Sequence, residues 1–134
     1  MEKKYIDKLA WIFLKDKKIL TTLSHGKDTW YIPGGKREAG ETDEQALIRE
    51  VTEELSVDLI PETITYYGTF EAQAHGKPEG TIVRMTCYQA EYSGTLNPAA
   101  EVAAYDFFSS TPTEKVSPVD VLIFGDLKNQ NLID

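Results

Sequence analysis

Apolar residues recur along this chain in two rhythms, and the change of rhythm divides it into elements. Lys4 to Leu14 reads as an apolar first strand, and Asp16-Lys17-Lys18 as a polar turn. Lys18 to Leu23 predicts a second strand, paired back on the first as a hairpin. Ser24 to Asp28 is a loop, and Thr29 to Ile32 a short aromatic strand stopped by the breaker Pro33-Gly34-Gly35. Between Asp43 and Leu55 the rhythm becomes helical. At about 100° per residue, Leu47, Ile48, Val51 and Leu55 fall on one side. Pro61 opens a connection to a strand over Thr63 to Gln73, and His75 to Gly80 is a Gly- and Pro-rich turn. Thr81 to Tyr92 reads as a long strand ended by Ser93-Gly94, Asn97 to Ala103 as a loop, and Ala104 to Phe108 as a short strand. Ser117 to Asn129 predicts a terminal helix. With no repeat, low-complexity tract or linker, one domain over residues 1–134 is expected. Strands with two separated helices point to an α+β chain, a mixed sheet covered by helices.

The start of the first helix is the best-marked boundary. Thr42 is a good N-cap and Gln45, three residues on, completes a capping box. Gly40 allows the sharp approach from the loop. At the other end Ser56 stands where a glycine would be comfortable, and Pro61 enforces the stop soon after.

Composition narrows the function. The 134 residues are 41% hydrophobic and 27% charged, as in ordinary globular proteins. No apolar run approaches the roughly 18 residues that span a bilayer, so no membrane partner is expected. The segment MEKKYIDKLAWIFL is basic and then apolar. It lacks a small-residue cleavage site and is broken by Lys15 and Asp16, so it reads as a strand and not as a signal peptide. The single Cys87 forms no internal disulfide and reads as a buried strand thiol; a cytoplasmic setting is the default expectation. The net charge of −8 argues against a nucleic-acid backbone as partner. Half of the acidic excess lies between Gly35 and Val57, where seven acidic residues face three basic ones.

That excess is ordered. Glu50, Glu53 and Glu54 fall within roughly 100° of each other on the side of the helix opposite its apolar stripe. Like charges at these spacings repel by a few tenths of a kcal/mol per pair. Either the face is merely solvated, or it places a cation, for which carboxylate oxygens suit Mg²⁺ or Mn²⁺.

The loop before the helix decides between these. The stretch GKREAGETDEQALIREVTEELSV resembles the Nudix box of the MutT-type hydrolase superfamily: Gly, five residues, Glu, seven residues, then Arg-Glu-apolar-x-Glu-Glu-x-Gly-apolar. Gly35, Glu41, Arg49, Glu50, Val51, Glu53, Glu54 and Val57 match in register; Ser56 departs from the usual Gly. The resemblance implies a Nudix fold, an α/β/α sandwich around a mixed β-sheet. It also implies an enzyme that hydrolyses a phosphoanhydride bond with Mg²⁺, for which Mn²⁺ substitutes. Carried over, Glu50, Glu53 and Glu54 are metal ligands, with the Gly35 carbonyl as a further one. Arg49 and Glu41 brace them. The proton of the attacking water goes to Glu53 as first choice, or to Glu101 in the loop LNPAAEVAA as second. Glu71 is a weaker candidate of that type.

Outside the box the candidates are substrate contacts. Lys36 and Arg37 lie in the box loop, and Arg84 interrupts the apolar strand TIVRMTCY. Trp30, Tyr31, Trp11 and Phe70 are candidates to stack on a nucleobase, although aromatics in short strands usually belong to the core. His25 and His75 are loop residues; His25, near the strand leading into the box, keeps a weak substrate candidacy. The compact length resembles members that split a nucleoside triphosphate to monophosphate and pyrophosphate. ADP-ribose, dinucleoside polyphosphates and a non-catalytic nucleotide-binding role stay open, as does a homodimer.

Overall fold

The structure, a computed structural model, describes residues 3–74 and 76–134. Its elements in chain order are β1 (Lys4–Ile12), β2 (Leu14–Lys15), β3 (Lys18–Ser24), β4 (Thr29–Tyr31), β5 (Gly34–Gly35) and α1 (Asp43–Leu55). Then follow β6 (Asp58–Leu59), a 3-10 turn (Pro61–Thr63), β7 (Thr65–Gln73), β8 (Thr81–Gln89), β9 (Tyr92–Ser93), β10 (Val102–Phe108), β11 (Lys115–Val116) and α2 (Pro118–Asn129). His75, in the expected turn, lies outside the described residues.

The first strand departs from the hairpin that its sequence suggests. Asp16 and Lys17 do form a two-residue turn, with φ of 52° and 62°, and it joins β2 to β3. β1 does not follow. It runs parallel to β8 along its whole length and antiparallel to β5 on its other edge. The reason is burial: Leu9, Ala10, Trp11 and Ile12 are all buried, so both faces and both edges of this strand need partners. The result is a four-stranded mixed sheet of order β5-β1-β8-β7. A second, five-stranded mixed sheet has the order β10-β3-β4-β11, with β2 added on β3.

Alternation along β1 sends side chains to two apolar layers. Ala10 and Ile12 join Ile19, Met85, Cys87 and the α2 residues Val119, Ile123, Phe124 and Leu127. Leu9 and Trp11 join Leu20 and the α1 residues Ala46, Leu47, Val51 and Leu55. The helices therefore close opposite sides of the strands, as the α+β reading requires. Trp11 belongs to this core: it is fully buried, and its indole N–H donates to Ala90 O at 2.9 Å. Phe70 packs on Tyr67 beside the α2 layer.

Helix α1 has both ends fixed. The capping box at Thr42 and Gln45 is present in both directions, at 3.2 and 3.0 Å. At the far end Ser56 takes the left-handed conformation, with φ of 63°, in the place a glycine would occupy. That conformation costs a non-glycine roughly 1–2 kcal/mol. Ser56 Oγ offsets part of the cost by donating to Asn97 O at 3.0 Å. Leu47 anchors the buried face with no exposed area. Leu47→Ala should lower stability by about 2–5 kcal/mol, read as a shift of the urea midpoint; an unchanged midpoint would mean that α1 is not packed as described.

Candidate functional site

Two glycines bring the first sheet against the glutamate helix. Gly34 has φ of 148° and lies so close to β1 that a Cβ would overlap Leu9 O. A Cβ on Gly35 would collide with the Glu50 carboxylate. The Pro-Gly-Gly segment is thus more than a breaker: it is an edge strand that admits Glu50 to its backbone.

Arg49 organises the loop between. Its Nε and Nη2 donate to the two oxygens of Glu41 at 2.7 and 2.8 Å, a bidentate fork. Nη2 also reaches Lys36 O at 3.1 Å, and Nη1 donates to Glu50 at 2.8 Å. Glu41 further accepts the Glu38 N–H at 2.7 Å. These donors hold the Glu41 carboxyl well below the usual range, at about 2, the Arg49 hydrogen bond being the largest cause. The Arg49 fork thus falls on Glu41, and its contact to Glu53 is longer, at 3.5 Å.

The three helix glutamates are not equivalent. Glu53 is exposed, its side chain 54% accessible. Glu54, expected on an exposed face, is instead buried at 8% exposure, because β5 covers it and the Gly34 N–H donates to it at 3.1 Å. Burial raises its pKa to about 8, and the charges of Glu50, Glu101 and Glu53 add to the rise. Glu50 is also raised, by burial first and against the pull of Arg49.

Glu50 and Glu54 line a cleft of about 400 Å³ with Gly34, Gly35, Lys36, Lys8, Tyr31 and Glu101. Glu101 reaches it because its loop is fastened to the end of α1. Asn97 N–H donates to Leu55 O at 2.9 Å and Ala99 N–H to Glu54 O at 3.0 Å, satisfying carbonyls that the helix end leaves free. His25, at the other side of this loop, donates its backbone N–H to Glu101 O at 2.8 Å.

These residues fit a divalent cation. The donors are hard oxygens, and their mutual repulsion is what a cation would relieve. Among the described residues no three such side chains yet converge as ligands do, since Arg49 holds Glu50 and Gly34 holds Glu54. An ion would have to take the place of those donors.

Other expected substrate residues fall elsewhere. Arg84 pairs with Glu71 at 2.8 Å and Asp7 at 3.6 Å and stacks over Tyr5, whereas its neighbour Met85 lines the cleft. The alternation of β8 turns Arg84 away from the cleft and uses Glu71 as its partner. Trp30 packs edge-on against Phe108 in the α2 layer, and it is the next residue, Tyr31, that lines the cleft.

Beside the cleft a smaller recess of about 70 Å³ is lined by Ile6, Lys8, Tyr31, Met85, Ser117 and Val119, among others. Lys8, Tyr31 and Met85 belong to both cavities. At the start of α2, Ser117 Oγ and Asp120 Oδ1 are buried without a hydrogen-bond partner, while Asp120 Oδ2 accepts the Ile32 N–H at 3.1 Å. Burial lifts the Asp120 pKa to about 7. Neither Lys8 nor Asp120 is among the expected site residues. Each had a signal: Lys8 interrupts the alternation Ile6, Ala10, Ile12, and Asp120 interrupts the apolar face of Val119, Ile123, Phe124 and Leu127.

The chain belongs to the NUDIX domain family, whose profile matches residues 8–118. It is similar to an 8-oxo-dGTP diphosphatase of Proteus vulgaris, 41% identical over 73 residues. That match covers 54% of this chain and 61% of the relative's length. Among solved structures it is similar to the Escherichia coli ORF135 protein, 27% identical, with a TM-score of 0.72 over 96% of this chain and 94% of that one. The MutT protein of Methanosarcina mazei Go1 shares the fold at a TM-score of 0.74 and 18% identity, over 98% of each chain.

Asp120 makes stability depend on pH. Its folded-state pKa is raised from 3.8 to about 7, so its contribution is complete below about pH 4 and lost as pH rises through 7. Asp120→Asn should remove that part of the decline, measured as Tm against pH in the metal-free protein. A variant curve parallel to that of the wild type would refute it.

Proposed function

We propose that this chain is a Mg²⁺-dependent pyrophosphohydrolase that splits a nucleoside triphosphate into the monophosphate and pyrophosphate. The observation that carries this reading is the cleft lined by Glu50, Glu54 and Glu101, directly beside a smaller recess with which it shares Lys8, Tyr31 and Met85. The diphosphatase relative from Proteus vulgaris supports the same class of substrate.

In this reading Glu50, Glu53, Glu54 and the Gly35 carbonyl hold Mg²⁺, with Mn²⁺ able to substitute. The ions, when bound, neutralise charge on the diphosphate and acidify water. The chain supplies the rest. Glu101 lines the cleft, which makes it better placed than Glu53 to take the proton of the attacking water. Lys36, at the rim, meets phosphate oxygens. Arg49 keeps Glu50 at the glycine strand, and Glu41 keeps Arg49 there. The nucleobase lies against Tyr31 where cleft and recess join, with its edge toward the recess and the unpaired Ser117 hydroxyl. Such an apolar pocket with few polar groups is what an aromatic heterocycle requires. A cytoplasmic setting, where nucleoside triphosphates are held, belongs to this reading. Among the described residues no helix is long and apolar enough to cross a membrane.

The test is a panel of nucleoside triphosphates, including 8-oxo-dGTP, with ADP-ribose and dinucleoside polyphosphates, incubated with Mg²⁺ while products are separated. Monophosphate and pyrophosphate are expected from a triphosphate, with no turnover in chelator. Turnover of none, or of the other classes alone, would remove the proposal. Glu54→Gln should lower kcat by about 10²–10³-fold, with thermal melting checking that the buried position tolerates the amide. Arg49→Lys cannot fork and should lower kcat while leaving KM within about threefold; a change in KM alone would assign Arg49 to substrate instead.

A further inference from the structure

Lys8 stands where its strand has no structural use for a charge. Its strand neighbours on the same face, Ile6, Ala10 and Ile12, pack into the α2 layer, and its partner across the ladder is the buried Met85. Burial lowers its pKa, with Lys36 and Lys77 adding to the fall, and Asp120 and Glu54 only partly opposing it. Among the described residues no hydrogen bond holds its ammonium. The side chain is half-buried at the shared wall of cleft and recess, so an acceptor on a bound ligand would supply the partner it lacks.

The recess indicates which part of a ligand that is. Lys8, Lys77, Gln73 and Ser117 bring polar groups to a space whose apolar walls include Ile6, Val83, Met85 and Val119. Such walls suit a planar heterocycle and not a triphosphate. An ammonium is a donor only, so it pairs with a ring carbonyl and is left unsatisfied by a ring amino group.

We propose that Lys8 is a specificity-determining residue that donates to the carbonyl oxygen at the purine 6-position or pyrimidine 4-position, and so selects bases with oxygen there over bases with an amino group there. The proposal rests on the reading of the recess as the nucleobase subsite. It assigns the preferred substrates to the 6-oxopurine and 4-oxopyrimidine nucleotides. Ser117 shares the recess, but its hydroxyl does not separate oxo from amino, since it can accept or donate.

The test uses product binding, which needs no metal. GMP, UMP, AMP and CMP are titrated calorimetrically into the wild type, Lys8→Met and Lys8→Arg in the absence of divalent ions. The wild type should bind GMP and UMP more tightly than AMP and CMP. Lys8→Met should weaken GMP and UMP by about 10- to 100-fold, the loss of one charged hydrogen bond, and leave AMP and CMP within about threefold. Lys8→Arg should restore part of the preference. The same ordering should appear in kcat/KM for the four triphosphates with Mg²⁺. Equal weakening of all four monophosphates would make Lys8 a phosphate contact and overturn the proposal. So would unchanged binding in Lys8→Met, or no monophosphate binding by the wild type. If the base preference responds to Lys8 while no triphosphate is turned over, the hydrolase reading fails and the Lys8 assignment stands. Thermal melting of Lys8→Met, expected at or above the wild-type Tm, checks that the fold persists.

Discussion

The fork from Arg49 to Glu41 is the interaction on which the site depends. A loop carrying two glycines and several like charges has little reason to settle on one conformation. Arg49 supplies the reason by binding both Glu41 oxygens, the Lys36 carbonyl and Glu50 from one planar group. A lysine has the charge but not the plane. With the loop held, Gly35 meets Glu50 and Gly34 meets Glu54, and the helix is set against the strand at the depth that makes the cleft.

Strand β1 does the equivalent work for the fold. It pairs on both edges, faces α1 on one side and α2 on the other, and carries Lys8 at the boundary between cleft and recess. One strand therefore connects the layer that carries the acidic helix with the layer that walls the recess. The apolar run from Leu9 to Ile12 is the sequence expression of that double burial.

Local chemistry was readable in advance, and long-range pairing was not. The capping box, the helix from Asp43 to Leu55, the Asp16-Lys17 turn and the register of the box residues all follow from near neighbours. The partner of β1 could not be read, because β8 lies some seventy residues later and both strands are apolar enough to pair with several others. The ladders of β6 with β9 and of β11 with β4 are two residues long, too short for any rhythm. The burial of Glu54 was missed because helical periodicity places it with Glu50 and Glu53, and only the neighbouring glycine strand separates them. Arg84 was read as a substrate contact because its partners, Glu71 and Asp7, come from different strands. Lys8 and Asp120 are each a single polar interruption in the sequence, and only the fold shows that Lys8 lines the recess while Asp120 is buried against the Ile32 N–H.

The stitching of residues 97–99 to the carbonyls of Glu54 and Leu55 has a further consequence. It ties the acid from the far loop to the same helix that carries the other carboxylates, so the spacing between them is set by one short covalent and hydrogen-bonded circuit. The recess is built from a different helix and from the opposite face of β1. Bond cleavage and base choice thus rest on separate mechanical parts that share a single strand. Substitutions in the recess can retune what is admitted while the spacing of the acids stays as it was.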